Sequence, residues 1–149
     1  CIRDSVGVVA YNGYTSAAKK NASKSIHANV VKVLASETKK CSLGSGTILK
    51  NNDGTGGITC SDYSTAVTGS TAGTTVVTLV QTTNVGKVFT DKNPHTPSTT
   101  DATSGATSVN YAVGSSGVGS TVLSGATNTI TITTTWNTGE TLVDTVSLE

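Results

Sequence analysis

Residues 4–40, DSVGVVAYNGYTSAAKKNASKSIHANVVKVLASETKK, contain no proline, and apolar side chains recur along them at Tyr14, Ala18, Ala22, Ile26, Val30 and Val33/Leu34. Spacings of four and three put these residues on one face of a 3.6-residue helix. The segment therefore reads as a long amphipathic helix in which Ile26, Val30 and Leu34 are buried. Lys19, Lys20, Lys24 and Lys32 fall largely off that stripe. Lys39 and Lys40 sit at the C-terminal end, where cations favour the negative end of the helix dipole. A helix of this length spans roughly 50 Å at 1.5 Å per residue, against a globular mean of about 11–12 residues. Its first half, Val6 to Tyr14, is apolar nearly all round and needs another chain or a membrane to cover it.

After Lys40 the chemistry changes to Gly, Ser, Asn and Thr without helical period, which predicts strands and loops for the rest of the chain. Residues 41–61 read as a connecting loop with turn signals at Asn52-Asp53-Gly54 and Gly56-Gly57. Strands are expected at Thr74–Thr82, Gly86–Thr90, Ser108–Val113, Thr129–Trp136 and Thr141–Leu148. In Thr129-Ile130-Thr131-Ile132-Thr133 the alternation puts Ile on one face and Thr on the other. Asn137-Thr138-Gly139 reads as the hairpin turn into the last strand, with Leu142, Asp144 and Val146 on one face and Val143, Thr145 and Ser147 on the other. Trp136 is expected to close the edge of the core. Asp91 to Ala106 holds both prolines and reads as an exposed loop, and Gly114–Gly119 as a flexible one.

The chain of 149 residues suits one domain with one core. Its apolar fraction is 35%, its aromatic fraction 4% and its charged fraction 13%, about half the charge density usual for cytosolic enzymes. That composition points to a secreted or cell-surface β-rich protein. The net charge of +1 conceals an asymmetry: residues 1–40 hold seven Lys/Arg against Asp4 and Glu37, the remainder three against seven acids. A basic helix and an acidic β-domain suit either a solvated helix face or head-to-tail association of copies. Of three cysteines, Cys41 and Cys60 make the economical disulfide, with two free thiols as the alternative; Cys1 is left over. A bridge there points to an oxidising compartment, the periplasm or the cell exterior.

Catalytic chemistry has little to draw on. His27 lies beside the apolar stripe and reads as a packing or surface histidine, and His95 lies between two prolines with no adjacent nucleophile motif. Asp53, Asp62, Asp91 and Asp101 are not spaced as an EF-hand, leaving only a calcium site built from loop oxygens as a metal alternative. Gly114-Ser115-Ser116-Gly117-Val118-Gly119 lacks the lysine of a phosphate loop. Asn21-Ala22-Ser23 matches a glycosylation sequon but lies in the helix. Catalytic residues, cofactor and metal are therefore each expected to be none.

Val8-Val9-Ala10-Tyr11-Asn12-Gly13-Tyr14-Thr15-Ser16-Ala17-Ala18-Lys19 resembles the middle of the N-terminal helix of type IV pilins, where an apolar run gives way to two tyrosines three apart and then to Ala-Lys. Asn21 to Cys41 is similar to the same helix continuing into the globular half and ending at a cysteine. The likeness covers about the first forty residues. It implies an α+β fold with a long N-terminal helix packed on an antiparallel sheet of about four strands. In that organisation 1–149 is one domain, with the helix at 4–40, a disulfide-closed loop at 41–61 and a β-sheet head at 62–149. It also implies a non-enzymatic structural subunit of a bacterial surface filament, held in the inner membrane before assembly. Its partners would be other copies of itself, the assembly machinery, and host surface or DNA.

Three departures stand against the family pattern. The apolar N-terminal segment with its methylated first residue is missing, so a processed or shortened form is expected; Val9 stands where many pilins have proline; and the expected disulfide closes the loop after the helix rather than the C-terminal region. Subunit packing is assigned to Val6, Val8, Val9, Tyr11 and Tyr14, and loop closure to Cys41 and Cys60. A type II secretion pseudopilin or minor pilin shares the helix. A threonine-rich adhesin or carbohydrate-binding domain is the competing class.

Overall fold

The computed structural model describes residues 4–44, 46–50, 54, 56–70, 72–83, 88–89, 91–96, 109–110 and 117–148; within these, the side chains of 4–10, 79–83 and 109–110 lie outside the description. Helix α1 runs from Asp4 to Leu43, as the proline-free pattern predicts. Its buried face is Ser23, His27, Val30, Leu34 and Thr38, with Ile26, Val31, Val33 and Ala35 partly covered. Val30 and Leu34 are completely buried, each contributing about 1.5–3 kcal/mol by leaving water. Three of the five buried positions are polar, and their hydrogen bonds explain how they sit there. Ser23 Oγ donates to the Lys19 carbonyl at 3.1 Å and Thr38 Oγ1 to the Leu34 carbonyl at 2.9 Å, so neither hydroxyl enters the core unpaired.

The sheet that receives this face is built from β4 (Thr121–Gly125), β5 (Thr129–Asn137) and β6 (Glu140–Ser147), paired antiparallel in sequence order. Ile130, Ile132 and Thr134 point inward from β5 and Val146 from β6, while Thr129, Thr131, Thr133 and Thr135 take the opposite face, as the Thr-Ile alternation predicts. Leu142 is half-buried on the inner side and Val143 exposed on the outer one. The expected four antiparallel strands are thus three. The fourth member, β3 (Val109–Asn110), is two residues long and pairs parallel to β4. Strand β4 was not anticipated, because its alternating Thr121-Val122-Leu123 is flanked by glycine-rich sequence that obscures the period.

The chain between helix and sheet departs most from expectation. A two-residue hairpin, β1 (Thr47–Ile48) with β2 (Ile58–Thr59), occupies the connection read as loop. It leads directly into α2 (Cys60–Val67) and then α3 (Ala72–Thr83), so the head is not wholly strands and loops. Helix α2 carries its own start signal: Thr59 Oγ1 accepts from the Asp62 N–H at 3.1 Å and donates to the Asp62 carboxylate at 2.7 Å, a reciprocal cap. Helix α3 replaces the strand expected at Thr74–Thr82. Its run of Thr and Val favours strand intrinsically, but Ala72, Val76 and Val77 are buried at a helical spacing and tertiary packing overrides propensity. Of the strand expected at Gly86–Thr90, Val88 and Phe89 are described and not in a strand, and the rest lies outside the described residues. Of Ser108–Val113, only Val109–Asn110 is described, as β3.

Helix α3 meets the sheet backbone to backbone. The Gly73 N–H donates to the Ala126 carbonyl at 2.8 Å, and Thr74 Oγ1 donates to the Gly125 carbonyl at 3.0 Å. A Cβ on Gly73 would lie 2.1 Å from the Thr129 oxygen, and one on Gly125 2.1 Å from the Gly73 carbonyl carbon. Two absent side chains therefore set this distance.

Cys41 in the last turn of α1 is bonded to Cys60 at the start of α2, 19 residues on. Beside it, Glu37 accepts from the Leu49 N–H at 3.0 Å and from Lys40. The bridge closes a short polar segment whose described residues supply Ile48, Leu49 and Ile58 to the core. Converting both cysteines to serine is expected to lower the unfolding free energy by about 2–4 kcal/mol, read from denaturant unfolding with the slope fitted freely, because the unlinked unfolded chain exposes more surface.

Candidate functional site

From Ser23 on, α1 has a covered face; between Tyr11 and Lys19 the described side chains have none. From Tyr11 to Lys19 every side chain is exposed except the half-buried Thr15, and the first buried one is Ser23. Tyr11 is 69% exposed and Tyr14 75%. Of the residues assigned to subunit packing, the structure thus places Tyr11 and Tyr14 in the open. Val6, Val8 and Val9 lie on the same helix, their side chains outside the description. Tyr14 and Ala18, read as part of the buried stripe, are exposed because the sheet ends before reaching them; Ala22 is half-covered.

The exposed turns are poor helix on their own. Asn12, Gly13, Thr15 and Ser16 all rank below alanine, and Gly13 has nothing within 4 Å of where a Cβ would stand. Helices in globular proteins derive most of their stability from packing one face, and among the described residues only the half-buried Thr15 of these turns is partly covered.

Where α1 first enters the core, four polar side chains form a continuous row. His27 Nε2 lies 2.9 Å from Asp144 Oδ2, and His27 Nδ1 lies 2.8 Å from Thr134 Oγ1. Thr134 Oγ1 in turn lies 2.6 Å from Thr121 Oγ1. A carboxylate only accepts, so Nε2 carries a proton; with one ring proton, Nδ1 accepts from Thr134, whose oxygen accepts from Thr121. Thr121 and Thr134 are paired residues of β4 and β5, so the row ties α1, β4, β5 and β6 together.

An Asp–His–Thr row has the connectivity of a hydrolase triad. Here the hydroxyl belongs to Thr134, which is 0% exposed, as is Thr121. An incoming carbonyl cannot reach it, and the row works as a fixed register between helix and sheet. His27 is therefore a packing histidine, as read from the sequence, with partners that lie 107 and 117 residues away and leave no local signal. His27→Ala is expected to cost about 2–4 kcal/mol by opening a cavity and stranding Thr134. Asp144→Ala should cost under about 1 kcal/mol, because its carboxylate is 60% exposed. Equal losses in urea unfolding would contradict this division.

Trp136, at the end of β5, lies under the helix lysines rather than at an apolar rim. Lys24 Nζ stands 3.7 Å from the indole centroid and Lys20 Nζ 5.9 Å. Nearby, Asn93 is buried where an exposed loop was expected: its amide donates to the Val118 carbonyl at 3.0 Å and its oxygen accepts from the His95 N–H at 2.8 Å. Gly119 packs on it with φ +88°, where a Cβ would fall 2.0 Å from the Asn93 oxygen, so this end of the expected flexible loop is pinned. Residues 114–116 lie outside the described residues.

Burial, then the charges of Lys19 and Lys20, hold the His95 imidazole below its ordinary value of 6.5. The folded state then binds fewer protons than the unfolded one. The stability present above pH 6.5 is lost as pH falls toward the lowered value. The difference in melting temperature between the wild type and His95→Gln should accordingly change between pH 7.5 and 5, the wild type losing more. Parallel curves would refute this.

Among the described residues no group of three His, Cys, Asp or Glu side chains could hold a metal ion, and no helix is long and apolar enough to cross a membrane. The described residues line two open grooves, among others. One, of about 350 Å³, lies between α2 and α3 and is lined by Asp62, Thr65, Ala66, Gly69 and Thr75. The other, of about 470 Å³, lies beside the disulfide between Glu37, Lys40, Leu49 and Lys50. No protein-family model matches the chain, and no match is found among characterised proteins or among solved structures.

Proposed function

We propose that the chain is a structural subunit of a bacterial surface filament of the type IV pilin kind, polymerising through the upper half of α1. One observation carries this reading: a 40-residue helix that continues past its own sheet with Tyr11 and Tyr14 uncovered. A helix packed by its own domain from Ser23 on and exposed over Tyr11–Lys19 suits an assembly in which other copies supply the missing neighbours. The pilin-like Tyr11-to-Lys19 segment falls on the bare part. The Cys41–Cys60 disulfide agrees with an oxidising destination, and the weakly charged, threonine-rich outer face of β5 and β6 with exposure outside the cell.

Filaments sheared from cells that carry this chain should contain it as the bulk component by mass spectrometry. An antibody to the β5–β6 hairpin should decorate them along their length. Label confined to filament tips would move the reading to a minor pilin. Recovery of the chain only as a free secreted protein would remove the reading altogether.

A further inference from the structure

Trp136 is the one tryptophan of the chain and stands half-buried near the end of β5. Lys24 Nζ lies over the indole at 3.7 Å from its centroid, close to van der Waals contact, and the Lys24 side chain is itself exposed. A ring face on which a surface ammonium can rest has no packed layer of the fold above it. Lys20, one helical turn earlier, places its Nζ at 5.9 Å from the same centroid. A cation–π contact at an exposed site contributes only about 0.5–1 kcal/mol, so an incoming ring can displace both ammonium groups sideways.

Both signs of charge stand around this ring. Glu140 opens β6 just past the turn, and Asp144, four residues on, is paired with His27. The surroundings are therefore balanced and draw no ligand by net charge; recognition here rests on short-range pairing by the groups still uncommitted. Among the described residues neither Lys20 nor Lys24 has a carboxylate partner. Glu140 accepts from Asn137 Nδ2 at 3.3 Å through Oε2, which leaves Glu140 Oε1 and Asn137 Oδ1 without a hydrogen bond there. The Trp136 Nε1–H has no acceptor there either.

An open aromatic face rimmed by N–H donors and by carboxylate and amide acceptors matches a saccharide. The C–H groups of one sugar face stack on the indole, and hydroxyls, each both donor and acceptor, bond around its edge. The two unpaired ammonium groups add a demand for negative charge on that sugar. We propose that Trp136, Lys20, Lys24, Asn137 and Glu140 form a binding platform for a carboxylated saccharide. The indole carries the sugar ring, Lys20 and Lys24 swing off it to pair with the carboxylate, and Asn137 and Glu140 take hydroxyls. The platform lies where α1 crosses the sheet, so it stands whether or not the chain polymerises.

The test uses the intact chain, with the emission of its single tryptophan reporting on the site and titration calorimetry giving the affinity. Tetragalacturonate and sialyllactose are the probes, since each joins a sugar face to a carboxylate; the tighter binder tells a uronate from a sialate source. At least one should shift the Trp136 emission saturably. The methyl ester of tetragalacturonate keeps the rings and loses the charge. It should bind about ten-fold or more weakly, the scale of a lost charge-assisted hydrogen bond. Lys20→Gln/Lys24→Gln should weaken the acid by the same factor and leave the ester unchanged, with the circular dichroism of the wild type. Trp136→Ala, followed by calorimetry, should lose both. An ester that binds as well as the acid, acid binding untouched in the lysine variant, or no response to either probe would each overturn the platform. So would inorganic polyphosphate binding as tightly as tetragalacturonate, because the lysines would then be a plain cationic patch.

Discussion

Gly73→Val yields no folded protein, and Gly73→Ala lowers stability by more than about 3 kcal/mol. An added Cβ at this position meets the carbonyl oxygens of Thr129 and Ala126 at 2.1 and 2.3 Å and the Ala126 nitrogen at 2.7 Å. All three are backbone atoms held by the turn that closes β4 onto β5, where the Ala126 N–H donates to the Thr129 carbonyl at 2.9 Å. No rotamer change relieves such a clash; α3 must back away, breaking the Gly73 N–H bond to Ala126 and uncovering Ala72 and Val76. Gly125→Ala presses on the same junction from the other side and should cost as much. The control is Gly13→Ala. There the same added methyl stands in open space on a helix, and replacing glycine by alanine should stabilise α1 by about 0.5–1 kcal/mol. Chemical denaturation of the three alanine variants checks the opposite signs; a stable Gly73→Ala protein would mean that helix and sheet are not in this contact.

If the chain polymerises through α1 as proposed, Tyr14→Asp and Val9→Asp should abolish surface filaments while leaving the head folded. Tyr14 is 75% exposed and touches nothing that the sheet needs, so the circular dichroism and melting temperature of the soluble chain should not move. In a filament the same side chain would be enclosed by neighbouring helices, where an unpaired carboxylate costs several kcal/mol at every subunit. Because each subunit repeats the penalty, the effect is all-or-none and not graded. Tyr14→Phe, which keeps the ring, should assemble. Normal filaments from the aspartate variants would mean that this part of α1 is not an assembly surface.

The long helix and the final hairpin were legible because their signals are local. Absence of proline over 4–40 and the strict Thr-Ile alternation of 129–133 each specify one periodicity, and the structure has α1 and β5 there. The middle of the chain was misread where two cues conflict. Thr74–Thr82 is rich in β-branched residues, yet its neighbour Gly73 can approach the sheet backbone only as part of a helix end, a requirement set by residues fifty positions away. The start of α2 could have been found, since Thr59 and Asp62 stand at capping-box spacing. The buried row through His27 could not, since nothing near His27 indicates that Thr134 and Asp144 will receive it. Nor could the lysines over Trp136, which meet across more than one hundred residues. The bare tyrosines were foreseen as a helix surface needing cover; that Tyr14 and Ala18 lie beyond the sheet required knowing how long the sheet is.

The distance in sequence between His27 and its partners also orders events in time. Strands β4, β5 and β6 are successive hairpins and can pair as soon as they exist, but the buried row on α1 stays unsatisfied until Asp144, 117 residues after His27, has arrived. Contacts between the two ends of a chain are slow to form and set the pace of folding. During synthesis α1 is therefore available to whatever handles a nascent chain. It commits to the head only after β5 and β6 have emerged, so loss of β6 should loosen the helix and not merely shorten the sheet.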